Sequence, residues 1–179
     1  MKHSSSSNAF RWALMMALVS FVPLQAQDKK SDGKGSTFEV VGLTFKTPKG
    51  WVSEKPSSSM RKAQLVVPGK KKGQEAEVVY FYFGPGQGGT VQANVDRWFG
   101  QFKEPKDQLE ARTTKETVNK TNVTFVRAKG TFMSGPPFGQ KVPKPGYAML
   151  AAIVETDKGP IFIKMTGPEN TVIGAEKDF

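Results

Sequence analysis

The stretch Glu75-Ala-Glu-Val-Val-Tyr-Phe-Tyr-Phe83 decides the fold. Successive side chains of a strand point to opposite faces, so Val79, Phe81 and Phe83 share one side and Val78, Tyr80 and Tyr82 the other. Both sets are apolar. A strand that is apolar on both faces belongs inside a sheet covered on both sides. Working outward, Met60 to Val67 reads as the preceding strand. Pro68-Gly-Lys-Lys-Lys-Gly73 reads as the hairpin turn, and its run Lys70–Lys72 as a solvated part of that turn rather than a dedicated binding patch.

Beyond Phe83, Thr90 to Phe102 follows a helical period. Val91, Val95, Trp98, Phe99 and Phe102 form one apolar stripe, and Thr90 suits the N-cap. Four more strands follow, at Leu109–Val118, Thr121–Met133, Gly146–Thr156 and Pro160–Thr166. The run Tyr147 to Val154 is again apolar throughout, and Ser134 to Pro145 reads as a long Pro/Gly loop. Upstream, Thr37–Val41 and Leu43–Thr47 form a small hairpin, and Pro48-Lys-Gly turns Trp51 back against the sheet. Asn170 to Phe179 begins a closing helix on Val172, Ala175 and Phe179. The fold class is α+β: a mostly antiparallel sheet flanked by helices, an α/β/α sandwich.

The first 26 residues have the pattern of an export signal. Lys2 and Arg11 are positive, Trp12–Val22 is apolar, and Ala26 is a small residue at a cleavage position. The apolar run is shorter than the about 20 residues that span a bilayer, so no transmembrane span is expected in the mature chain. Residues 27–36 (QDKKSDGKGS) read as a flexible linker, and 37–179 as one domain. The expected location is periplasmic or secreted.

The chain has one histidine, His3, and no cysteine. With the signal removed, no Ser-His-Asp or Cys-His nucleophile can be assembled, nor a zinc site with His or Cys ligands. No cofactor is expected. Cleavage removes two of the positive charges from the whole-chain net of +10, leaving a basic domain suited to an acidic protein or other anionic surface. Nucleic acid is not expected as a partner of an exported protein. The aromatics Tyr80–Phe83 also alternate between covered faces, so they offer no stacking platform.

Two segments are candidate binding sites. Gly84-Pro-Gly-Gln-Gly-Gly-Thr90 is a Gly-rich turn feeding a helix N-terminus, where Gly86, Gly88, Gly89 and Thr90 would present backbone N–H groups to a small anion or lipid head group. It lacks the lysine of a phosphate loop. In the Ser134–Pro145 loop, Phe138 would anchor a partner while Lys141 and Lys144 steer its acidic groups. Glu75 and Glu77 are the nearest approach to paired carboxylates, but beside the lysine run they read as solvated charges; a carboxylate hydrolase is the least favoured reading.

The chain resembles the PsbP-like superfamily, which includes extrinsic photosystem II proteins, a Ran-binding nuclear-import factor and bacterial envelope proteins of unknown role. The resemblance is carried by Leu43-Thr-Phe-Lys-Thr-Pro-Lys-Gly-Trp51, the aromatic strand ending at Phe83, Val95-Asp-Arg-Trp98 and Phe162-Ile-Lys-Met-Thr-Gly-Pro168. It spans Phe38 to Phe179. It implies a sheet between helices and a non-catalytic binding or assembly role, and it carries over no catalytic residue. The family usually continues its last helix beyond the equivalent of Phe179, where this chain departs from it. The expected function is therefore that of an exported, non-enzymatic accessory domain acting in the cell envelope through a protein partner.

Overall fold

The computed structural model describes residues 35–136 and 138–179. The expected export signal and most of the expected linker lie outside these residues. Among the described residues, nine strands and two helices follow in order: β1 (Thr37–Val40), β2 (Leu43–Lys46), β3 (Val52–Glu54), β4 (Arg61–Val67), β5 (Ala76–Tyr82), α1 (Val91–Phe99), β6 (Glu110–Val118), β7 (Thr121–Ser134), β8 (Val142–Thr156), β9 (Gly159–Pro168) and α2 (Glu169–Gly174).

Seven strands form one antiparallel sheet in the order β3-β4-β5-β9-β8-β7-β6. β5 and β9 are both interior. Val78 and Tyr80 of β5 enter one core, and Val79 is buried on the opposite face, so the two-sided apolar strand lies where its pattern requires. The central run of β8, Ala148 to Val154, is buried throughout.

On one face, α1 seats Val95, Trp98 and Phe99 over Met149, Ala151, Ile153 and Phe162. On the other face the cover is mixed. The separate hairpin β1–β2 packs Phe38, Leu43 and Phe45 against the core that contains Tyr80, and α2 and its C-cap add Val172 and Ala175. Phe38 and Phe45 both meet the Tyr80 ring, at centroid distances of 5.0 and 5.1 Å. Two ion pairs hold α2 and the residues after it to β7: Lys129–Glu169 at 3.2 Å and Arg127–Glu176 at 3.0 Å.

Two expectations need correction. β3 is a three-residue exposed edge strand with no apolar alternation, so no periodic signal announces it. The long Pro/Gly loop is shorter than its composition suggests, because β8 begins at Val142, with Val142 opposite Ser134, Pro143 opposite Met133 and Lys144 opposite Phe132 before an irregularity in the register. β9 ends opposite Tyr147, so this part of β8 lacks its second neighbour. There a proline's missing N–H removes no ladder bond on the open side. The connection proper is 135–141.

Candidate functional site

Past Lys129, β7 has no β6 partner, and before Tyr147, β8 has no β9 partner. These ends form a two-stranded arm reaching beyond the sheet. Its root is braced by the segment after α1. The Lys103 amide donates to the Thr131 carbonyl (2.9 Å), the Met133 amide donates to the Gln101 carbonyl (2.8 Å), and Phe102 bridges to Phe132. The Glu104 carboxylate accepts from the Thr131 amide at 2.9 and 3.0 Å, and these bonds hold Glu104 below the usual carboxylate range. Gly130 leaves room for that carboxylate: a Cβ there would stand 2.6 Å from Glu104 Oε2.

At the tip, Phe138 is fully exposed, and Val142 and Lys144 are exposed beside it. The Lys141 ammonium donates to the carbonyls of Gly135 (3.0 Å) and Pro136 (2.7 Å). Lys141 thus ties the turn. The three residues named from sequence lie on one short tip, with Phe138 at its end.

The Gly-rich turn has a different internal structure. Gly84, Gly86, Gly88 and Gly89 all have positive φ, and the Thr90 hydroxyl accepts the Ala93 amide at 3.2 Å as an N-cap. Buried Asn94 donates to the carbonyls of Gly88 and Thr90, both at 2.8 Å, and accepts from Arg97. The turn is folded around its own hydrogen bonds.

Glu77 pairs with Arg61 at 2.6 Å, and Glu75 accepts the Gly73 amide at 3.0 Å. Among the described residues, no three His, Cys, Asp or Glu side chains gather where a metal ion would be held. No helix among them is long and apolar enough to cross a membrane.

Sequence reasoning missed one cleft. On the α1 face of the sheet, Lys164 rises from β9 between Val79 of β5 and Ala151 of β8. Its ammonium donates to Gln101 Oε1 at 3.1 Å and lies 5.9 Å from the centre of the Phe132 ring. Beside it opens a cleft of about 180 Å³ lined by Phe81, Phe83, Arg97, Trp98, Gln101 and Phe162. Burial lowers the Lys164 amine to about 8; Glu77 pulls it upward, and Arg61 and Arg97 push it further down. A bulge in β4 between Arg61 and Ala63 brings Arg61 into this neighbourhood, where it bonds Gln64 and Glu77. The available signal was a lone charge in the apolar run Ile161–Met165.

No family model matches the chain, and no curated protein matches it. Among solved structures it is similar to the solution structure of cyanobacterial PsbP (CyanoP) from Synechocystis sp. PCC 6803. The TM-score is 0.50 at 11% sequence identity, and the match covers 87% of this chain and 93% of that one. A central antiparallel sheet, one helix on its first face, and a hairpin with a short helix on its second thus make this chain a protein of PsbP-like fold.

Proposed function

We propose that this protein is a non-catalytic accessory domain of the cell envelope that docks a protein partner through the tip of the β7–β8 arm. The observation that carries the reading is Phe138, a large apolar side chain fully exposed at the end of a braced arm. An aromatic held out on a pre-ordered support lowers the ordering cost of binding and supplies the anchor of an interface. Lys144 beside it, together with the basic balance of the chain, favours an acidic rim on the partner. The envelope location rests on the export pattern of residues 1–26.

The test is cross-linking of the full-length protein in native envelope extract, with capture repeated at low and high salt. A single stoichiometric partner that survives high salt and is lost with Phe138→Ala supports the reading. Capture unchanged by both Phe138→Ala and Lys144→Glu rejects the arm as the docking element. A mixture that disappears with salt rejects a specific partner.

A further inference from the structure

The arm does not use the cleft at Lys164, and the cleft has a chemistry of its own. We infer that it is a binding site for a small organic anion: a carboxylate or phosphate head on a flat apolar body.

The head is specified by unmatched positive charge. Arg97 from α1 and Lys164 from β9 line the cleft, and Arg61 from β4 and Glu77 from β5 act on Lys164 from nearby. Glu77 is already paired with Arg61 at 2.6 Å. Lys164 forms no ion pair among the described residues, and its protein acceptor is the neutral amide of Gln101. Arg97 is likewise held by a neutral oxygen, that of Asn94. The half-buried Lys164 ammonium, with only an amide acceptor, lacks the counter-charge that burial demands, and the exposed Arg97 guanidinium stands at the same cleft without an acidic partner among the described residues. An anion entering between them supplies it through charge-assisted hydrogen bonds.

The body is specified by the walls. Phe81 and Phe83 stack at 6.1 Å with an interplanar angle of 13°, Phe83 meets Phe162 at 5.8 Å, and Trp98 stands edge-on to Phe162 at 6.5 Å. Phe83 is partly exposed, so the aromatic wall reaches the cleft mouth. The volume of 180 Å³ suits one ring with a short acidic arm and excludes a long acyl chain.

The experiment is NMR titration of the full chain with phenylacetate, phenyl phosphate, benzyl alcohol and inorganic phosphate, followed at the Trp98 indole and the Gln101 side-chain amide. Phenylacetate or phenyl phosphate should shift both signals saturably, and the tighter of the two identifies the head group. Benzyl alcohol and inorganic phosphate should bind at least about tenfold more weakly, since each lacks half of the recognition. Lys164→Met, which keeps the side chain's length and apolar contacts, should weaken phenylacetate by a similar factor, while Phe138→Ala should leave it unchanged. The inference is overturned if no probe saturates, if benzyl alcohol or inorganic phosphate equals the organic anions, or if Lys164→Met binds like the parent. Retention of binding in Phe138→Ala separates this site from the docking arm.

Discussion

Gly88 lies against the ring of Phe162: a Cβ at that position would stand 2.6 Å from Cε2 and 2.7 Å from Cζ. The contact explains a glycine there better than an anion-binding turn does, because the backbone must pass the ring that walls the cleft. Its φ of +92° adds a second penalty for any other residue. Gly88→Ala should therefore lower stability by about 2 kcal/mol, measured by urea denaturation, and weaken phenylacetate binding in the same protein. Loss of stability with unaltered binding would show that Phe162 does not shape the cleft.

Lys164 gives the fold an unusual pH dependence. Its amine titrates at about 8 when folded, whereas an unfolded lysine titrates near about 10.4. Below the folded value both states are protonated and the fold bears the full penalty. Between the two values the folded state sheds its proton first, so this contribution to stability improves as pH rises. Lys164→Met should add about 2 kcal/mol at neutral pH and remove that rise. A denaturation series from pH 7 to 10 checks both, and an unchanged pH profile in the variant would reject a depressed Lys164.

Tyr80 acts in the opposite sense at higher pH. Burial beneath the β1–β2 hairpin pushes its phenol up to about 12. An unfolded tyrosine ionises near about 10, so Tyr80's contribution is complete below that pH and is lost as pH climbs through the folded value. Tyr80→Phe should keep neutral stability within about 1 kcal/mol and flatten part of the alkaline decline. Urea midpoints on either side of pH 10 provide the measurement.

Lys141 is expected to matter without touching the partner. Its two bonds to the Gly135 and Pro136 carbonyls order the tip that presents Phe138. Lys141→Met should leave the melting temperature unchanged, speed amide exchange in 135–141, and weaken partner capture by about tenfold through lost pre-organisation. Weaker capture with unaltered exchange would mean instead that the Lys141 charge meets the partner directly.

Thr90 caps α1 through the Ala93 amide. Thr90→Ala should cost about 1 kcal/mol of stability. Added phosphate should change the parent's melting temperature no more than the variant's. Stabilisation of the parent alone would support the turn as an anion site.

Continuous apolar runs made the sheet readable, because β5 and β8 are long enough to show burial on both faces in their composition. Val52-Ser-Glu54 carries no such pattern, being short, exposed and at an edge. Prolines hid the strand at Val142–Gly146, since their effect depends on whether a neighbour lies on the open side, and that is a tertiary fact. The tip residues Phe138, Lys141 and Lys144 could be found locally because a short connection keeps them together. The cleft could not. Lys164 and Gln101 meet across a sequence separation of 63 residues, through the β5–β9 register and the docking of α1. Only the oddity of a charge within Ile161–Met165 was visible beforehand.

The strand order has a kinetic consequence. β3-β4-β5 and β6-β7-β8-β9 are each wound from consecutive neighbours, and the two groups meet along one line, β5 against β9. Every other pairing in the sheet closes a connection between chain neighbours, with modest entropy loss. The molecule is two meanders sutured at a seam, and α1, carried by the crossing segment, is laid over Phe162 on one side of it. The joining of the halves, rather than the formation of any hairpin, is the step expected to set how fast the chain becomes native. Until that seam shuts, the aromatic edge of β5 is the surface most exposed to the wrong neighbour.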